Sequence, residues 1–402
     1  MKQQKKNLIA GLDIGTSKIS TIVGRITEGG LNILGSSITV SEGVTKGVIT
    51  NIDKASSRIK KAIKKAELDA GRKINTLWVS IAGAHIQGSD NQSFVSISGT
   101  DKIVTAKDVE EALKKASSIA LPQDREVIHV LTQDWIIDGQ DQIKEPVGMR
   151  GAHLQLKVHL VTASSGCCRN IEESVRNAGY DVEGLALQPL ASGMSTLSPQ
   201  EQDLGVVLLD IGGGTTDLAI FLREGLRFTR VIAVGGTHIT NDIAVGLHIS
   251  REKAEEIKIR YGTSSVEYLD KDEYIEVEGV AGRGRYQVKR STLVEIIQLR
   301  IEELFELVDL QLRSSGYKGL ITAGVVLTGG CSLLPGIKEK AEEKLSLPAR
   351  IGYPRVSSSE KIFNPAYATG VGLLLWGMKT RQELALKKRL DVRIKEWLKD
   401  FF

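Results

Sequence analysis

The sequence predicts an α/β protein of two lobes built on duplicated sheet-and-helix cores. A small subdomain is inserted in the first lobe, and an amphipathic helix closes the C-terminus. Three observations carry that prediction. A short apolar run that ends in Asp and a Gly turn occurs twice, at LDIGTSKI and LLDIGGGTTDLAI. Between the copies, from about His85 to Val161, the patterning switches to alternating polar and apolar residues. The final stretch, LKKRLDVRIKEWLKDFF, separates apolar from basic side chains at helical spacing.

The chain has 402 residues, 41% hydrophobic and 25% charged, long enough for two or more cored domains. A net charge of +4 gives no strongly basic domain, so no nucleic-acid partner is expected. The cysteines Cys167, Cys168 and Cys331 are odd in number and two are adjacent, which points to reduced thiols rather than a disulfide framework. The histidines show no metal spacing; His153 and His159, in GAHLQLKVHLVTA, read as partly exposed strand residues. MKQQKKNLIAGLDIG is basic but lacks an apolar export core, so a cytosolic start is expected. The apolar run Gly370 to Met378 is well short of the ~20 residues a spanning helix needs, so any membrane contact would be peripheral.

Leu8 to Leu12 and Lys18 to Val23 form a strand, Gly turn and strand. Ile52 to Ala70 carries Ala55, Ile59, Ala62, Ile63 and Ala66 on one face with lysines opposite, an amphipathic helix. Leu77 to Ala82 is a buried-type strand, and a helix follows at about Ala106 to Ala120, capped by Thr105 and Asp108. Cys167 to Ala178 is helical with Gly179 as its stop. The second half repeats the opening device at Val206 to Leu209 and Leu218 to Leu222, which suggests duplicated lobes. Helices at Arg251 to Arg260 and Arg290 to Leu312 flank the polar, Gly-rich stretch Tyr261 to Tyr286, and the strand Val325 to Thr328 enters GGCSLLPGI.

The turns carry the chemistry. Gly at a strand end lets backbone N–H groups approach a polyanion with no Cβ in the way. Gly15, Thr16, Ser17 and Lys18 form one such turn, and Gly212, Gly213, Gly214, Thr215 and Thr216 the other. Asp13 and Asp210 beside them would repel phosphate unless a hydrated Mg²⁺ lay between. One DIGTS alone is also explained as an ordinary hairpin turn; two, with GGCSLLPG downstream, point to a nucleotide site.

These three segments resemble the first phosphate, second phosphate and adenosine motifs of the actin/Hsp70/sugar-kinase superfamily. LQPLASG and NPAYATGVGLLL resemble its two connecting helices. The resemblance implies an actin-like two-lobed fold closing on ATP with Mg²⁺, with Gly329, Gly330, Cys331 and Ser332 against the adenosine. In AEEIK, Glu255 and Lys258 match a helix that contacts ribose and base in relatives; the alternative is a plain exposed face. Gln188 matches the position that orients the attacking water, with helix packing near the hinge as the alternative. Asp13 and Asp210 complete the catalytic set that the resemblance implies.

The insertion selects the family. REVIHVLTQDWIIDGQDQIKEPVGMRGAHLQLKVHLVTA, SEGVTKGVITNID and VIAVGGTHITNDIAVGLHIS resemble the bacterial cell-division family FtsA. That resemblance implies a filament-forming, ATP-binding protein on the cytoplasmic face of the inner membrane at the division site. Its partners would be the FtsZ C-terminal tail, further copies of itself, anionic inner-membrane lipids and later division proteins. Turnover of ATP would be weak at most, with nucleotide regulating polymerisation. The implied organisation is first-lobe core over 1–85, inserted subdomain over 86–162, and first lobe with connecting helix over 163–200. The second-lobe core follows over 201–245, its small subdomain over 246–319, where the FtsZ tail would dock, and core again over 320–363. The second connecting helix covers 364–378, and a spacer with the targeting helix 379–402. A sugar or acid kinase would need a catalytic base, and none stands out beside the loops. The insertion argues against MreB, and the terminal helix favours FtsA over the pilus-assembly protein PilM.

In that terminal helix Leu386, Leu390, Ile394, Trp397, Leu398 and Phe401 share one face, with Lys388, Arg389, Lys395 and Lys399 around the other. Such a helix lies in the headgroup plane; the alternative is a helix docked on the protein's own core. A buried large apolar side chain contributes up to ~1.5–3 kcal/mol and a basic residue near anionic lipid ~1 kcal/mol, less the cost of ordering the helix. A single tail therefore binds reversibly, and a polymer gains avidity.

Overall fold

The structure is a computed structural model that describes residues 7–280, 282, 284–356 and 360–399; the side chains of 360 and 385–399 lie outside the description. The first lobe is a five-stranded sheet in the order β11-β6-β1-β2-β3. Its strands are β1 (Leu8–Ile14), β2 (Lys18–Thr27), β3 (Gly30–Val40), β6 (Thr76–Ile81) and β11 (Asp181–Leu187). A two-residue-armed hairpin, β4 (Val44–Thr45) and β5 (Val48–Ile49), hangs beside it. Helix α1 (Ile52–Ala70) covers one sheet face with the five apolar residues expected of it, all buried. Asn51 caps its N-terminus, and Gly71, left-handed at φ +59°, ends it.

The insertion folds as a second small unit. Strands β7 (Gln87–Ser96), β8 (Arg125–Ile137), β9 (Gln140–Ile143) and β10 (His153–Ser164) pair in the order β7-β10-β8-β9, with α2 (Ala106–Ser117) packed on them. Thr105 and Asp108 close a reciprocal capping box at the start of α2. Val95, Ala112, Trp135, Leu154 and Leu156 form its own core. His153 is exposed, as read from sequence, but His159 is 3% exposed. Its ring bonds Asp90 Oδ1 at 2.7 Å and Thr229 Oγ1 of the second lobe at 3.2 Å, so strand alternation alone misplaces it.

The chain returns to the first lobe through α3 (Ser165–Asn177), then α4 (Gln188–Thr196) leads it across through α5 (Pro199–Leu204). The second lobe repeats the arrangement as β14-β13-β12-β17-β18. These are β12 (Val206–Ile211), β13 (Thr216–Leu222), β14 (Gly225–Ile232), β17 (Val325–Thr328) and β18 (Ala349–Ile351). Helices α6 (Gly236–Gly246), α7 (Arg251–Tyr261), α8 (Arg290–Ser315) and α9 (Ile337–Leu345) carry the rest of this lobe, with the β15 (Tyr274–Glu278) and β16 (Arg285–Lys289) hairpin on its small subdomain. Leu293, Ile297, Ile301, Phe305 and Val308 give α8 a fully buried face.

Between the lobes, α4 crosses the last helix, α10 (Ala368–Lys399), at very close range. A methyl group at Gly372 would fall 1.8 Å from the Ala191 carbonyl oxygen, so only glycine permits this approach. The α10 backbone is helical without a break from the connecting segment through the stretch read as a spacer. The side chains of Leu386, Leu390, Ile394, Trp397 and Leu398, and the whole of Phe401, lie outside the described residues. Among the described residues no helix is long and apolar enough to cross a membrane.

Candidate functional site

The two Gly turns are built alike. In the first, Asp13 pairs with Ser20 and Ile14 with Ile19, and Gly15 N–H closes on the Lys18 carbonyl at 2.9 Å. In the second, Asp210 pairs with Asp217 and Ile211 with Thr216, and Gly212 N–H closes on the Thr215 carbonyl at 2.9 Å. The lobes bring these turns face to face. A methyl group at Gly213 would sit 2.5 Å from Ser17 Oγ, and one at Gly214 2.4 Å from Thr16 Oγ1. The absence of Cβ at both positions is what lets the lobes approach.

Behind the turns lies a buried charged centre. Ser80 Oγ donates to Asp13 Oδ1 at 2.9 Å, and Thr369 Oγ1, from α10, donates to Asp210 Oδ2 at 3.1 Å. Asp217 is fully buried; Thr215 Oγ1 donates to its Oδ2 at 3.3 Å, while its Oδ1 has no partner among the described residues. Burial pushes the Asp13 carboxyl up, Lys18 opposes this, and Asp210 adds to it. Asp217 is held well above the ordinary carboxylate range by burial and then by Asp210. The Lys18 ammonium is lowered by burial, against the pull of Asp13 and Asp210, and donates to the Ala366 carbonyl. Among the described residues no group of three or more His, Cys, Asp or Glu could hold a metal ion. The unpartnered Asp217 Oδ1 and the mutually repelling carboxylates nevertheless suit a cation held nearby through water.

A cleft of about 970 Å³ opens from the turns between the lobes. Thr16, Ser17, Lys18, Gly212, Gly213 and Gly214 of the turns line it together with Glu255, Lys258, Gly330 and Cys331. Lys258 Nζ is fixed by Glu255 Oε2 at 2.6 Å, Thr240 Oγ1 at 2.9 Å and the Gly236 carbonyl at 3.2 Å. Burial pushes the Cys331 thiol up to about 11, so it stays a neutral thiol beside the Lys258–Glu255 pair. Gly329 (φ +83°) and Ser332 stand just behind it, joined by a Ser332 Oγ to Gly329 carbonyl bond of 2.7 Å.

Asp13, Gly15, Asp210, Thr215, Thr216, Gly329 and Ser332 support the cleft without lining it. Gln188 also lies outside the lining; it opens α4, half-buried, with its carbonyl accepting from Ser192 Oγ at 2.9 Å. The cleft adds residues that were not singled out from sequence: Lys46, Gly236, Thr237, His238, Thr240, Asn241 and Arg251. The signal for part of this set was GGTHITND, a glycine pair opening a helix directly after a strand. Gly236 and Thr237 N–H bond the Gly212 and Gly213 carbonyls at 2.9 and 2.8 Å, which locks α6 onto the second turn.

Residues 207–372 match the family model described as cell division protein FtsA, and residues 83–162 match the SHS2 domain inserted in FtsA. The cell division protein FtsA of Pseudomonas aeruginosa is 42% identical, over 94% of this chain and 91% of its own length. FtsA of Escherichia coli K12 is 35% identical over 99% and 97%, and that of Bacillus subtilis 36% over 91% and 82%. Among solved structures, a PilM–PilN type IV pilus biogenesis complex aligns with a TM-score of 0.66 at 18% identity, covering 92% of this chain and 98% of that one. MreB5 of Spiroplasma citri bound to AMPPNP aligns at 0.59 and 13%, covering 95% and 99%. The structural likenesses establish an actin-like fold. The near full-length identity to curated relatives and the matched inserted subdomain place this chain in the FtsA family of cell-division proteins.

Proposed function

We propose that the chain binds ATP with Mg²⁺ in this cleft, polymerises into actin-like filaments, and tethers FtsZ polymers to the membrane through its C-terminal helix. The observation that carries the reading is the pair of Gly turns facing each other across the cleft, Ser17 against Gly213 and Thr16 against Gly214. The polyphosphate would lie between them, where backbone N–H groups and the hydroxyls of Thr16 and Ser17 donate to its oxygens. Adenosine would occupy the part lined by Gly330 and Cys331, with Glu255 and Lys258 at the sugar edge and Gly329 and Ser332 behind. Asp13 and Asp210 suit a magnesium ion held through water, and the ion would offset phosphate charge.

Hydrolysis is slow in this reading and nucleotide acts mainly as a switch for polymerisation. Gln188, at the start of α4, would orient water only after the lobes shift, since it lies outside the cleft lining. The FtsZ C-terminal tail would dock on the small subdomain of the second lobe, over 246–319. The tail face of Leu386, Leu390, Ile394, Trp397, Leu398 and Phe401 would enter anionic lipid, with Lys388, Arg389, Lys395 and Lys399 at the headgroups. Later division proteins would join the assembled ring.

Co-sedimentation with anionic vesicles and FtsZ, with and without ATP, tests this on the full chain and on a form ending at Met378. FtsZ should pellet only with the full chain, and more with ATP. Recruitment of FtsZ that ignores loss of the residues after Met378 would overturn the tether.

A further inference from the structure

The hairpin between β4 and β5 is an element that the nucleotide reading leaves unused. Val44 pairs with Ile49 and Thr45 with Val48, so Lys46 and Gly47 are its two turn residues. Both are left-handed, at φ +49° and +76°. This turn type favours Asn-Gly or Gly-Gly, because each central residue must adopt positive φ. A lysine at the first position is strained backbone, and among the described non-glycine residues with positive φ it alone lines the cleft.

The tip is wedged against both phosphate turns. Gly47 N–H donates to Thr16 Oγ1 of the first at 3.1 Å. A methyl group on Gly214 of the second would lie 3.1 Å from Lys46 Cα, and one on Gly83 3.1 Å from the Lys46 carbonyl oxygen. Lys46 thus sits where the two turns meet, in the lining of the cleft. Its charge is felt across the cleft by the His238 imidazole, which burial and then Lys46 hold below its ordinary value.

The other cations of the cleft are engaged. Lys18 donates to the Ala366 carbonyl beside Asp13 and Asp210, Lys258 is paired with Glu255, and Arg251 bonds Asn241 Oδ1 at 2.7 Å. Lys46 is exposed and makes no hydrogen bond or ion pair among the described residues. An unpaired ammonium on a strained turn in the lining of the cleft is free to donate to an anion bound there.

Resting on the nucleotide reading, we propose that Lys46 reaches the terminal phosphates of the bound nucleotide from the first lobe, at the seam between the two turns. The hairpin tip then ties phosphate occupancy to lobe closure. Calorimetric titration of the full chain with ATP, ADP and AMP in the presence of Mg²⁺ tests it on wild type, Lys46→Asn and Lys46→Gly. Both replacements tolerate left-handed backbone, so the hairpin turn is kept while the ammonium is removed. ATP affinity should fall about tenfold to a hundredfold, the weight of one charge-assisted bond, while AMP affinity stays as in wild type. Equal losses for ATP and AMP, or an unchanged ATP affinity, would overturn the assignment. Wild-type chain that binds no ATP at all would instead remove the nucleotide reading on which it rests.

Discussion

Arg227, on β14 of the second lobe, grips Asp134 of the inserted subdomain through two hydrogen bonds of 2.6 and 3.3 Å. Both side chains are largely buried, at 6% and 18% exposure. The insertion therefore belongs to the first lobe by sequence but latches onto the second. His159 to Thr229 is a second polar tie across the same seam.

Removing one partner of a buried pair strands the other charge. Arg227→Ala should destabilise by about 3–5 kcal/mol. The Arg227→Ala/Asp134→Ala double variant should recover part of that loss. Denaturant unfolding of the two single variants and the double variant closes the cycle; strictly additive losses would mean the two residues do not interact.

His129, on β8, joins the insertion to the hinge. Its Nε2 accepts the Leu187 N–H at 2.9 Å, one residue before Gln188, and its ring meets Trp376 of α10 edge-on. Burial pushes the imidazole down from 6.5 to about 4. Its folded value lies below its unfolded one, so its stabilising contribution is complete above pH 6.5 and fades as pH falls through about 4. Over that window wild type should lose about 3 kcal/mol more than His129→Gln, read from unfolding midpoints across pH.

Gly213 sets how closely the lobes approach. Gly213→Val puts a branched side chain onto Ser17 and props the cleft open. ATP affinity should drop by about tenfold or more while the unfolding midpoint without nucleotide barely moves. Wild-type affinity in this variant would mean that nucleotide does not require the closed approach.

Trp397→Glu places a charge at the centre of the terminal apolar face. Pelleting with anionic vesicles should disappear while ATP binding persists. Undiminished pelleting would remove the tail from the membrane contact.

Local devices were the legible part. Helix α1 runs from Ile52 to Ala70 as read, because Asn51 and Gly71 are neighbours of the residues they cap. The turns after Asp13 and Asp210 were readable for the same reason, as strand, Gly and hydroxyl sit within a few positions. What escaped depends on partners far along the chain. Ser80 beneath Asp13, Thr369 beneath Asp210 and Arg227 on Asp134 come from separations of 67, 159 and 93 residues. His159 looked half-exposed because its cover, Thr229, comes from the other lobe. Lys46 is not distinguishable within its segment, since nothing in SEGVTKGVITNID shows which loops it will touch.

Helix α10 is bonded to both lobes, near opposite ends of its described side chains. Arg381 clamps the helix to the first lobe, with bonds of 2.6 and 2.5 Å to Glu183 and 2.8 Å to the Leu8 carbonyl. At its other end Thr369 reaches the second lobe through Asp210. At 1.5 Å per residue such a helix is a rod of roughly 48 Å. A surface that held the far end of the rod would hold the first lobe still. Opening and closing of the cleft would then be felt as travel of the second lobe alone, and a binding partner carried on that lobe would be raised or lowered against a stationary anchor.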